Sequence, residues 1–241
     1  MADTDHEEIT LAATEASIPA ARVRDVLVVG VFLLTVGHLL FIVPDVGPAH
    51  LFDLDRESGP GTWVSTMLYA GAALAAVWLA LRLRPPSARS LGFAAMALVL
   101  LALGAEEVMA FHETASLEIA TAADLPGADS GGTPLMGLVL LPFFAGGTWL
   151  LARGMSARPR RLLAEAVGIW WVATFATEQL DAWNLHHVAE NPDRVLAIHQ
   201  LVTGIQEGGE MLGVGLVAVA LLEELGALGG ELRLRVVPTP D

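Results

Sequence analysis

The chain contains no cysteine among its 241 residues, and all 13 of its basic residues are arginine. Without thiols there are no disulfides, thiolate metal ligands, iron–sulfur clusters, c-type haem attachment or cysteine nucleophiles. Without lysine there is no amine to form a retinal or pyridoxal Schiff base. Charge is scarce as well, at 17% of residues, where soluble domains carry about a quarter. It is also lopsided: 27 acidic residues give a net charge of −14, which argues against a nucleic-acid partner. A lysine-free chain rich in Ala, Gly, Arg and acid fits a high-GC, salt-adapted prokaryotic source.

Apolar sequence fills the space that charge leaves. Hydrophobic residues make up 54% of the chain and the mean hydropathy is +0.57. A membrane-spanning helix needs about 20 predominantly apolar residues. Six runs meet that need, over roughly 26–43, 62–83, 90–111, 135–152, 162–183 and 199–222. The expected fold is all-α: a polytopic bundle of about six transmembrane helices with the lipid bilayer as its surroundings. An acidic tail over 1–24, a membrane domain over 25–226 and a second tail over 227–241 complete the expected layout. The first run follows a long acidic stretch and ends in "FIVPDVGPAH" without a small-x-small cleavage site, so it is expected to stay in the membrane as an anchor.

Arginine sets the expected orientation, because positive loops stay in the cytoplasm. With six alternating helices, Arg22, Arg24, Arg82, Arg84, Arg89, Arg153, Arg158, Arg160, Arg161, Arg233 and Arg235 fall on one side, and only Arg56 and Arg194 on the other. The protein is therefore expected in the cell membrane with both termini in the cytoplasm. The outer loops are acidic, carrying Asp45, Asp53, Asp55, Glu57, Glu118, Asp124, Asp129, Glu190 and Asp193, and such a face attracts cations.

Ionisable residues also enter the apolar runs. Glu106 lies 17 residues from Arg89, Glu178 lies 17 from Arg161, and Glu207 lies 16 from Glu223. At 1.5 Å per residue these glutamates sit about 24–25 Å from the inner boundary on three helices. His112, His186 and His199 sit farther out, about 34–38 Å from the same references. Glu107, Glu113, Asp181 and Glu210 extend the acidic set, and His38 stands near the outer end of the first run. A charge at a helix centre costs about 2.5–3.5 kcal/mol on insertion scales, so such groups should face one another inside the bundle. On the last helix His199, Gln206 and Glu210 fall within about 20° of one line, with Thr203 and Glu207 flanking it. Gly204, Gly208, Gly209 and Gly213 form small-xxx-small pairs that let a neighbour approach closely.

Imidazole nitrogen with carboxylate oxygen, and no sulfur, suits a divalent metal such as Zn, Fe, Mn or Cu. The expected ligands come from Glu106, Glu107, His112, Glu113, Glu178, Asp181, His186, His199, Glu207 and Glu210. Ferritin-like di-iron sites pair Glu and His at i, i+3, and no Glu-x-x-His occurs here. Asp181, His186 and His199 would also suit copper. Intramembrane acids and imidazoles relay protons in other proteins, so a proton or cation path competes with the metal. Against transport, the inner halves look apolar, with Glu165 the exception. A third alternative is that the network only fixes helix packing, in a structural subunit or homo-oligomer. Catalysis has no assigned residue.

The segments "FDLDRESGPGTWVS", "EEVMAFHE" and "IQEGGEMLG" resemble those of an uncharacterised family of bacterial multi-pass membrane proteins. The family pattern has an acidic LD-x-E stretch, an acid-Glu-x4-His-Glu segment and a Glu-Glu-x-x-Glu-Met-x-Gly segment. These match Asp53, Asp55 and Glu57; Glu106, Glu107, His112 and Glu113; and Glu207, Glu210 and Met211. Gln206 replaces the first glutamate of the last segment. The resemblance implies about six helices around a common site and supplies no activity.

Overall fold

The computed structural model describes residues 19–41, 53–54, 59–83, 87–109, 118, 146–185 and 192–229. It is all-α over these residues: α1 (Ala20–Phe41), α2 (Pro60–Arg82), α3 (Ala88–Met109), α4 (Ala157–Trp171), a π-helical turn (Val172–Ala176), α5 (Thr177–Leu185) and α6 (Pro192–Ala227). Residues 146–152 are helical too. α1, α2 and α3 are long and apolar enough to cross a membrane. The outside is apolar as well: Leu74 and Leu98 are 69% and 70% exposed, and Phe32, Leu33 and Leu150 are similarly bare. A surface of that kind is at home in lipid, and it marks the chain as a membrane protein.

α6 is the axis, with α1, α2, α4, the π turn and α5 all packed against it and α3 packed on α2. It is longer than its apolar run. An outer loop is expected over 184–198, whereas α5 continues to Leu185 and α6 already begins at Pro192. Proline at the first helical position loses no hydrogen bond, because that N–H has no intrahelical acceptor anyway. The resulting 36-residue helix is about 54 Å long, well over the ~30 Å hydrocarbon core. Gly229, at φ 72°, terminates it in the left-handed conformation that glycine adopts without a β-carbon clash. Its carbonyl accepts a hydrogen bond from Arg82 Nη2 at 3.1 Å.

Two glycine faces explain how α6 can serve so many partners. A β-carbon at Gly204 would meet His38 and Leu39 of α1, one at Gly208 would meet Thr35, and one at Gly215 would meet Leu27. On the other face, a β-carbon at Gly209 would stand 2.5 Å from Ala173 Cβ, and one at Gly213 2.5 Å from Trp170 Cβ and 2.8 Å from its Cα. Backbones thus approach closely on two sides of one helix, where dispersion contacts drive association in lipid. The π turn lies at the second crossing, with Thr174 Oγ1 donating to the Trp170 carbonyl at 2.9 Å and Thr177 Oγ1 to the Ala173 carbonyl.

The inner end is held by a buried ion pair. Glu224 of α6, fully buried, accepts from Arg89 of α3 and, at 2.8 Å, from the Ser156 N–H at the start of α4. Arg158 adds a 3.0 Å pair with Glu223 from a largely exposed position. Glu165, expected as an inner intramembrane charge, is half exposed and pairs with Arg161 one turn away at 2.8 Å.

Gly213→Val should lower stability by about 1–3 kcal/mol, because the clash is with Trp170 backbone rather than a movable tip. Gly168→Ala, whose β-carbon meets nothing within 4 Å, should be neutral or gain up to about 1 kcal/mol. Glu224→Ala should cost about 3–5 kcal/mol by stranding Arg89, and Arg158→Ala at most about 1 kcal/mol. Unfolding by SDS titration in mixed micelles measures all four.

Candidate carboxylate site around Tyr69

α2 buries one stripe, and its chemistry changes along the helix. Thr62, Ser65 and Tyr69 form the outer part, and Ala72, Ala73, Ala76 and Leu79 the inner part. Tyr69 is 3% exposed. Gly104 of α3 makes room for it, since a β-carbon there would lie 2.9 Å from Tyr69 Cβ. On the far side Trp170 donates from Nε1 to the Tyr69 hydroxyl at 2.9 Å. Gly213 in turn makes room for Trp170. A phenol and an indole from different helices therefore meet because glycines stand opposite both.

Three glutamates act electrostatically on that hydroxyl: Glu107 of α3, and Glu210 and Glu207 of α6. All three are half-buried. Helix geometry explains the selection. Glu107 is three residues beyond Gly104, so it shares the face turned to Tyr69, and Glu106 is a further 100° round. Glu210 is three residues before Gly213 and so stands one turn outward of Trp170. Each of these acids, Glu106 included, is engaged in further interactions.

One helical layer farther out, His199 Nδ1 lies 2.8 Å from Asp181 Oδ2. The two side chains are 24% and 18% exposed. A carboxylate on Nδ1 fixes the tautomer and ring orientation, the arrangement that supports imidazole as a metal ligand. The other oxygen, Asp181 Oδ1, is buried without a hydrogen-bond partner. Asn184, one turn on, is buried and donates to the Val195 carbonyl at 2.9 Å, which fixes the spacing of α5 and α6.

His38 belongs to a different structure. It is fully buried, with Nε2 2.9 Å from the Gln200 carbonyl and Nδ1 accepting the Leu54 N–H at 3.2 Å. Only the tautomer with its proton on Nε2 satisfies both contacts. It ties α1 to α6 and to Leu54, ahead of α2.

Of the expected site residues, Glu107, Glu207 and Glu210 act electrostatically on Tyr69, and Asp181 pairs with His199. His112, Glu113 and His186 lie outside the described residues, and Glu178 is placed by its backbone on α5. Among the described residues no three His, Asp or Glu side chains form a ready metal-holding group. Tyr69 and Trp170 are the members that sequence reasoning missed. Their signal was depth: Trp170 is nine residues beyond Arg161, about 13 Å along the helix, too deep for the interfacial belts that hold tryptophan. Trp63, Trp149 and Trp183 are all more than 60% exposed.

The chain belongs to a family defined by a domain of unknown function (DUF8692), whose profile matches residues 26–223. That span runs from the second turn of α1 nearly to the end of α6 and covers every residue of this cluster. An uncharacterised family is what the sequence segments implied. No curated protein and no solved structure matches the chain.

Removing the phenol strands a buried indole N–H, so Tyr69→Phe should cost about 1–3 kcal/mol. The cost of Tyr69→Phe with Trp170→Phe should be less than the sum of the single costs by about 0.5–1.5 kcal/mol, the worth of the hydrogen bond. A double-mutant cycle in mixed micelles reads this directly, and strict additivity would show that the contact carries no energy.

Proposed function

We propose that this family member is a prokaryotic multi-pass membrane protein of about six crossings, with both termini cytoplasmic, that binds a cation from the outer side. The carrying observation is positional: Glu107 lies three residues beyond Gly104, which packs on Tyr69, and Glu207 and Glu210 precede Gly213, which packs on Trp170, so acids from two helices flank the buried Tyr69–Trp170 hydrogen bond. Carboxylates held in one region of an apolar bundle favour a bound cation or shared protons, which offset their mutual repulsion. The arginine asymmetry supports the orientation, and it puts the carboxylates in the outer half of the bilayer.

A divalent metal is the occupant proposed first. Carboxylate oxygens with imidazole nearby suit Mn, Zn or Fe, with no thiolate to favour softer ions. Asp181 and His199 would stand on the entry route. Their pairing and the unpartnered Asp181 Oδ1 support a polar antechamber rather than a packed wall. Protons are the second reading. It is favoured by the absence, among the described residues, of three donors already set for a metal, because a proton needs only one oxygen. Sensing, cation storage and transport all begin with such a site, and no residue is assigned a catalytic role.

Purified protein in nanodiscs, titrated with Mn²⁺ and then Zn²⁺ at constant pH, should bind one of the two saturably. Binding should weaken at least about tenfold, 1.4 kcal/mol, in Glu207→Gln/Glu210→Gln, and stay unchanged in Glu165→Gln. Saturable binding that ignores the double substitution rules out this cluster. No metal binding, with a Trp170 fluorescence change on acidification that the double variant loses, selects the proton reading. Neither response would contradict cation binding altogether.

A further inference from the structure

A cavity of about 770 Å³ opens between α3, the 146–154 segment, α4 and α6. It is independent of the carboxylate cluster, although Tyr69 and Trp170 close its outer end. Its walls are aliphatic, with Met96, Leu100, Val167 and Val217 among them. Val99 and Leu150 line it and are also 45% and 68% exposed, so its mouth faces the surroundings of the bundle, where lipid tails lie. The size is that of sites that bind small molecules, about 300–1,000 Å³. From Arg89 to Leu103, both in the lining, is 14 residues of α3, about 21 Å.

Arg89, paired with Glu224, and Arg153 beside the lining residue Gly154 stand at the cavity's Arg89 end. Arg89 lines it with a side chain that is 27% exposed. Glu224 takes one guanidinium nitrogen, and Nε is buried without an acceptor. Arg153 stands beside Gly154 of the same rim, its guanidinium 5.4 Å from the Trp149 ring centre. An apolar slot with cationic groups at the membrane-boundary end is complementary to one kind of molecule. We infer that the cavity binds a phospholipid, with one acyl chain along α3 toward Tyr69 and Trp170 and the phosphate at Arg89 and Arg153. Guanidinium donors recognise phosphate oxygens in a fork geometry. Packing of the chain against α3, α4 and α6 would fill a void that otherwise forfeits dispersion contacts.

Gly147 supplies the test. It lines the cavity, and a β-carbon there meets nothing within 4 Å, so Gly147→Phe places a bulky side chain at the cavity wall with no clash at its β-carbon. The probe is phosphatidylglycerol with a diazirine at the end of one acyl chain, doped into phosphatidylcholine nanodiscs. After illumination, adducts are mapped by mass spectrometry. Adducts should concentrate at Val167 and Trp170, fall at least tenfold in Gly147→Phe, and leave labelling of outward-facing Leu33 of α1 unchanged. Diacylglycerol bearing the same chain should label Val167 and Trp170 at least tenfold less. Equal labelling of the cavity in wild type and Gly147→Phe overturns the site. Equal labelling by diacylglycerol overturns the assignment of phosphate to the arginine rim.

Discussion

Close backbone approach along α6 is the contact on which the rest of the bundle depends. Gly204, Gly208 and Gly215 admit α1, and Gly209 and Gly213 admit the π turn and Trp170. In lipid no hydrophobic force draws helices together, so association rests on dispersion between surfaces that fit and on hydrogen bonds between them. The same closeness places polar groups. Trp170 reaches Tyr69 because Gly213 lets its helix in, and Tyr69 reaches Trp170 because Gly104 clears its path. His38 lies against Gly204, donates across the α1–α6 contact to the Gln200 carbonyl and accepts from the Leu54 N–H.

Charge is buried in two distinct ways within this frame. At the inner end Glu224 meets Arg89 and a backbone N–H. That acid has opposite charge and donors at hand, and its role is to join α3, α4 and α6. Near the Tyr69 hydroxyl, Glu107, Glu207 and Glu210 share a neighbourhood with a phenol. Like charges stand in one region there, and each of these acids is engaged in further interactions. The apolar cavity lies between the two levels, bounded by Arg89 below and by Tyr69 and Trp170 above.

Much of this was legible before any coordinates. The all-α class, the first three apolar helices and the glycine pairing of α6 follow from hydropathy and spacing, because lipid allows few alternatives to a helix. Rise per residue also put the glutamates of α3 and α6 at one depth. Phase was harder. Glu106 and Glu107 are adjacent, and only the Tyr69–Gly104 contact decides which of them turns inward. Glu224 was hidden beside Glu223 in an acidic helix end, since nothing in one strand of sequence shows that Arg89 lies opposite it. His38 was expected as one more imidazole of the site. Its neighbours Leu54 and Gln200 are distant in sequence, and these contacts make it a tie between segments.

Diffraction from crystals grown with Mn²⁺, with anomalous data collected near the manganese edge, shows whether Glu107, Glu207 and Glu210 hold a cation. A bound divalent ion gives an anomalous peak between their carboxylates, beside the Tyr69 hydroxyl. A peak elsewhere with that space empty rules out a divalent metal at this cluster.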